Sequence, residues 1–228
     1  MYVRLKTVLI AAMSLMTLSS FSGAVTLTAN HLSNGHGRTV GIQYTGANPY
    51  HGNVFAGQLN ITLIGSLPVG MAASFAAYCV DLDHTLQNSQ TVELLSTNLL
   101  TRGKRIAWLY NQIGPSVDLG ATTSVRNDRG AALQLAIWDV WADGGDGFNT
   151  GNFRTTASLS LRTLAQSYLT ASLGMKDEAS WLRNIAHPGN RNQNLIGPAV
   201  AVPEPGAMAM LIGAGVTGCL FVLRRRRR

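Results

Sequence analysis

Hydrophobic and polar positions first alternate with a period of two. Arg38 to Thr45 (RTVGIQYT) and Val54 to Ile64 (VFAGQLNITLI) fit half-buried strands, and the turn-rich GANPYHGN between them predicts a hairpin with a long loop. Phe75 to Leu82 predicts a third strand and Thr91 to Ser96 a fourth. The period then lengthens. Asn98 to Gln112 places Leu99, Ile106, Leu109 and Tyr110 at helical spacing, with Ser96 or Thr97 as cap and Gly114-Pro115 as stop. Asp128 to Ala142 predicts a stronger helix, capped by Asn127 or Asp128 and ended by DGGDG. Further helices are expected over Thr156 to Leu173, with Leu161, Leu164, Ala165 and Tyr168 as its stripe, and over Lys176 to Ala186, broken by His187-Pro188-Gly189. A short strand over Asn194 to Ala199 closes the pattern. The expected class is α+β, a sandwich-like or barrel-like sheet with an inserted helical subdomain.

The two ends do not belong to that domain. A basic MYVRLK, an apolar Thr7 to Leu18 and the small residues Ser22 and Ala24 read as a secretory signal peptide over 1–24, leaving a body of 25–201. At the other end stand Pro203-Glu204-Pro205, an apolar run over 206–223, and Arg224, Arg225, Arg226, Arg227 and Arg228. The run is near the lower length limit for a membrane helix, and the arginines should hold its end in the cytoplasm. This tail, 202–228, resembles the PEP-CTERM sorting signal of Gram-negative bacteria. The resemblance implies an exosortase as processing partner, an inner-membrane-tethered precursor with a periplasmic body, and a product at the cell surface or outside the cell.

The charge distribution removes one class of function. The formal net charge is +7, but Arg4, Lys6 and the five terminal arginines supply seven of the 18 basic residues, and Glu204 one of the 11 acidic ones. Eleven basic and ten acidic residues remain in between, so no basic face is left for nucleic acid.

Two residues carry the candidate chemistry. Cys79, in FAAYCVDLD, is the one cysteine outside the tail. A lone exported thiol is either reactive or joined to something else. Gln134 lies in AALQLAIWDVW, where nearly every neighbour is apolar, so its amide must hydrogen-bond or lose its amide character. Capture by the Cys79 thiol, giving a thioester and ammonia, is one resolution. An amide bonded to strand backbone beside an inert buried thiol is the other. Tyr78, Ile137 and Trp138 are expected to form a water-excluding pocket around the bond.

The motifs Tyr78-Cys79 and Gln134-Leu135-Ala136-Ile137-Trp138 resemble those of the thioester domains of bacterial surface adhesins. The resemblance implies that Cys79 supplies the sulfur and Gln134 the acyl group, for covalent attachment to an amine-bearing surface or matrix partner in adhesion or a biofilm matrix. Leu133 departs from the Thr that many of those domains have before the Gln. The competing expectation is a matrix or surface-layer protein of the same fold that works by non-covalent contacts. Neither reading makes the protein an enzyme.

Other constellations are weaker. A cysteine peptidase would draw on His51, His84 or His187 with Asp81 or Asp83, but Cys79 falls in a strand rather than at a helix N-terminus. Asp81 and Asp83 are expected in a polar turn. Asp143, Asp146, Asn149 and Asn152 offer oxygen ligands of the calcium type without EF-hand spacing, and no metal or cofactor is expected.

Overall fold

The computed structural model describes residues 25–185 and 192–200. The segment 1–24 expected as a signal peptide, the Pro-Glu-Pro motif, the apolar run with its arginines, and His187-Pro188-Gly189 lie outside the described residues. Among those described, no helix is long and apolar enough to cross a membrane.

Seven strands form one antiparallel sheet. They are β1 (Val25–Tyr44), β2 (Tyr50–Ile64), β3 (Ser74–Cys79), β4 (Ser89–Ser96), β5 (Phe153–Thr155), β6 (Ser180–Asn184) and β7 (Leu195–Gly197). Six of them close into a barrel in the order β1-β2-β3-β7-β6-β4 and back to β1, and β5 pairs with the far end of β1. Closure is possible because β1 is long enough to serve two neighbours. Its first six residues pair with β4, while most of its length pairs with β2. Register shifts between His31 and Ser33, and between Asn34 and Gly37, bend it between the two roles.

The closing strand β7 and the hairpin of β1 and β2 follow the sequence pattern, except that the expected long loop is short: Tyr50 to Asn53 pair with Tyr44 to Gly41, which leaves only 45–49 between the strands. The segment Lys176 to Ala186 does not. Ser180 to Asn184 is the strand β6, inserted between β4 and β7, with Ser180 and Leu182 buried and Trp181 and Arg183 more exposed. The apolar positions Trp181, Leu182 and Ile185 fit a helix and a strand equally, and the open edge of β4 decides between them.

The helices lie between β4 and β6 in the chain. Ser96 accepts from the Asn98 N–H and caps a single 3-10 turn, after which the chain breaks at Arg102 in the left-handed region. Helix α1 (Gly103–Trp108) then runs through a π turn, Leu109 to Ile113, into α2 (Gly114–Asp118). Gly114-Pro115 therefore does not stop the helix. Pro115 stands in the first turn of α2, where a missing N–H costs nothing.

Helix α3 (Thr123–Asp143) starts earlier than its apolar pattern. Thr122 is the cap, accepting from the Val125 N–H, because Asn127 and Asp128 are used elsewhere. Asn127 bonds the His36 ring and Asp128 pairs with Arg38, tying the exposed first turns of the helix to β1. From Gly130 to Val140 every residue is buried, with β1 and β2 on one side and α2 and α4 (Leu159–Ala171) on others. Burial all round is what its nearly unbroken apolar sequence requires. Ser158 caps α4, and Leu161, Ala165 and Leu169 form its buried stripe.

Helix α3 passes close to the β1 main chain at Gly130. A Cβ there would lie 2.2 Å from the His36 carbonyl oxygen. Gly→Ala inside a helix ordinarily gains about 1 kcal/mol. Gly130→Ala is expected instead to lose about 1–3 kcal/mol through overpacking, read from urea midpoints. A variant as stable as the parent would refute this contact.

Candidate functional site

The last residue of β3 is held by two glutamines from opposite directions. On one side Gln134 of α3, almost wholly buried, accepts from the Cys79 N–H at 3.0 Å and donates to the Cys79 carbonyl at 2.7 Å. The amide acts as a short substitute strand, satisfying both main-chain groups of a residue that burial would otherwise leave unpaired. Both ends of the Gln134 amide are thereby used. Structure thus brings together the two residues singled out in the sequence, through the main chain of Cys79 rather than through its sulfur.

The sulfur faces a residue that the sequence did not single out. Cys79 Sγ donates to Gln193 Oε1 at 2.8 Å. Gln193 precedes β7, whose Leu195 is in register with Cys79, and its surroundings fix it closely. Its N–H donates to the Thr85 carbonyl, its carbonyl accepts from Gln90, and its side-chain Nε2 donates to the Asp81 carbonyl. Asp81 is buried rather than placed in a polar turn. Its carboxylate accepts from the main chain and side chain of Asn194 and from His84. Burial pushes the Asp81 carboxyl up, and the bonds from Asn194 and His84 oppose that.

A cavity of about 580 Å³ reaches this contact. The buried Cys79, Gln193 and Trp138 form part of its wall, with the half-buried Leu82, Asp83 and His84 and the exposed Tyr50. Trp138, set edge-on to Phe153, is the member of the expected pocket that does line it. Tyr78 and Ile137 do not. Successive strand residues point to opposite faces, so Tyr78 turns away from Cys79, lies edge-on to Tyr110 and lines a separate cavity. Ile137 is fully buried in the core.

Electrostatics hold the thiol neutral. Burial pushes the Cys79 thiol well above its ordinary value, and the negative charge of Asp81 pushes it further. His84 bonds Asp81, not the sulfur. This is the reverse of the cationic setting that activates a cysteine nucleophile, so the peptidase arrangement has no counterpart among the described residues. The site instead offers a neutral thiol against a side-chain amide, screened by Trp138, beside a cavity that can admit a small nucleophile and release a small product.

Known proteins add nothing to this geometry. No protein-family model matches the chain, and no curated protein does.

The calcium-type loop is used differently from its pattern. Asn149 Oδ1 accepts from Arg162 and Asn152 Oδ1 from Thr45, so both are engaged away from a common centre. Asp143 and Asp146 converge with Asp139, which sits among the apolar residues of α3 and gives no signal in the sequence.

Proposed function

We propose that the protein stores an activated acyl group as an internal thioester between Cys79 Sγ and the side-chain carbonyl carbon of Gln193, and spends it on an amine of a partner molecule. The observation that carries this is the Cys79 Sγ contact with Gln193 at 2.8 Å on the wall of the cavity. In forming the bond, sulfur adds to the Gln193 carbonyl, the C–N bond breaks, and ammonia leaves with the thiol proton. In the second step a neutral amine attacks the thioester, an amide to Gln193 forms, and Cys79 returns as a thiol. Gln134 is the holder of Cys79, since its amide is committed to the main chain on both sides.

The remaining parts of the reading rest on the termini. With a signal peptide over 1–24 and a PEP-CTERM-like tail over 202–228, the body would be exported, released by an exosortase and placed at the cell surface or in a matrix. There covalent attachment serves adhesion.

The test is the intact mass of the purified protein before and after methylamine. A mass short by one ammonia, then raised by one methylamine, is expected. A mass equal to that of the sequence, with Cys79 alkylated only after denaturation, would instead mean that the hydrogen-bonded network is complete without a covalent bond, and the protein would then work by non-covalent contacts.

Removing Gln193 also has a pH signature. In Gln193→Ala, Cys79 is a free buried thiol whose folded pKa is raised, so the native state resists ionisation while the unfolded chain ionises near about 8.5. Its contribution to stability is complete below that pH and is lost as pH rises toward the folded value, by up to about 1.4 kcal/mol per pH unit. The difference between Gln193→Ala and the double variant with Cys79→Ala, followed by urea melts from pH 7 to 9.5, isolates the thiol from the buried tyrosines. A pH-independent difference would contradict the burial of the sulfur.

A further inference from the structure

The C-terminal end of α3 gathers a second group of reactive side chains, independent of the sulfur. Asp139 and Asp143 stand one helical turn apart, and Asp146 follows in the loop. One carboxylate oxygen from each lies within 4.8 Å of the other two. The chain is turned back by Gly144 and Gly145, both in the left-handed region. It then passes so close that a Cβ on Gly151 would lie 2.7 Å from Asp143 Oδ2 and 3.0 Å from Asp146 Oδ2.

This arrangement concentrates negative charge where a helix already presents its negative end. None of the three carboxylates has an ion-pair partner within 4.0 Å among the described residues. Arg105, whose charge reaches Asp139, gives its hydrogen bonds to neutral acceptors instead: the Gly144 and Leu169 carbonyls and the Ser172 hydroxyl. Asp143 takes main-chain N–H groups from Asn152 and Phe153, and Asp139 Oδ2 takes one from Gly147. Asp139 Oδ1 has no hydrogen-bond partner, although Asp139 has no solvent exposure at all. A buried carboxylate oxygen without a donor is costly. A cation shared with Asp143 and Asp146 would satisfy it and cancel the mutual repulsion together.

We infer that Asp139, Asp143 and Asp146 bind a calcium ion. The donors are all carboxylate oxygens, which selects a hard cation over zinc or copper. A glycine-rich loop carrying one of three ligands suits the adaptable shell of calcium better than the strict octahedron of magnesium, with water filling the remaining positions. The ion fastens the end of α3 to the loop 144–152 that leads into β5. Because α3 also carries Gln134 and Trp138, it steadies one wall of the Cys79 cavity from a distance, whether or not a thioester forms.

The experiment is calorimetric titration and thermal melting of the purified full chain, stripped with chelator, with calcium chloride up to the range of about 10⁻³ M at which extracellular calcium modules bind. One saturable site per chain and a rise in Tm are expected, both lost in Asp146→Asn, which alters only an exposed loop carboxylate. Asp139→Asn should lose the calcium response yet melt, without calcium, no lower than the stripped parent, because Asp139 has no ion pair to lose and an amide oxygen can still accept from the Gly147 N–H. Absence of a saturable site, an equal response to magnesium, a response that survives Asp146→Asn, or an Asp139→Asn protein that melts well below the stripped parent would each overturn the inference.

Discussion

Gln193→Ala is expected to return the full mass calculated from its sequence and to take up no methylamine, while Gln134→Ala keeps the ammonia deficit in whatever fraction folds. The two glutamines approach the same cysteine, but only one meets its sulfur: Gln193 Oε1 lies 2.8 Å from Sγ, whereas Gln134 bonds the Cys79 N–H and carbonyl. An acyl donor must present its carbonyl carbon to the thiol, and turning the Gln134 amide to do so would break both of its bonds to the Cys79 main chain. Intact mass of the three proteins side by side separates the assignments. Loss of the deficit in Gln134→Ala, with retention in Gln193→Ala, would reverse them.

The second large effect falls on stability. Gln134→Ala strips partners from two buried main-chain groups at once, the N–H and the carbonyl of Cys79. Each unsatisfied group costs about 1–3 kcal/mol, so a total loss of about 2–6 kcal/mol is expected, a large part of the stability of a domain of this size. Gln134→Glu should recover only part of it, since a carboxylate accepts from the N–H but offers nothing to the carbonyl. Urea midpoints of the two variants measure this. A loss under about 1 kcal/mol in Gln134→Ala would mean that water replaces the amide, and the holding role would fall with it.

Several of these residues announce themselves in the sequence, and others cannot. Gln134 is conspicuous because it is polar within an apolar helix, and burial all round from Gly130 to Val140 bears out that reading. Gln193 lies in Arg191-Asn192-Gln193-Asn194, a polar run like any loop. Its burial comes from partners up to 114 positions away, and no local pattern encodes them. Asp139 is similar: a charge beside Trp138 reads as the polar edge of a helix until Asp146 is folded back beside it. β6 shows the limit for secondary structure, because three apolar residues over five positions do not fix a period and the neighbouring strand does. The hairpin of β1 and β2 was legible because alternation over more than a dozen residues, with a turn between, leaves little else for the chain to form.

Order of synthesis gives the late position of Gln193 a meaning of its own. Cys79 leaves the ribosome more than a hundred residues before its sulfur's partner, and the two meet only when β7 slots between β3 and β6. Until then the barrel is an open sheet and the thiol has no amide to face. Any chemistry between them would therefore wait for the whole domain to be present: a truncated or half-emerged chain carries the cysteine without the amide that faces it.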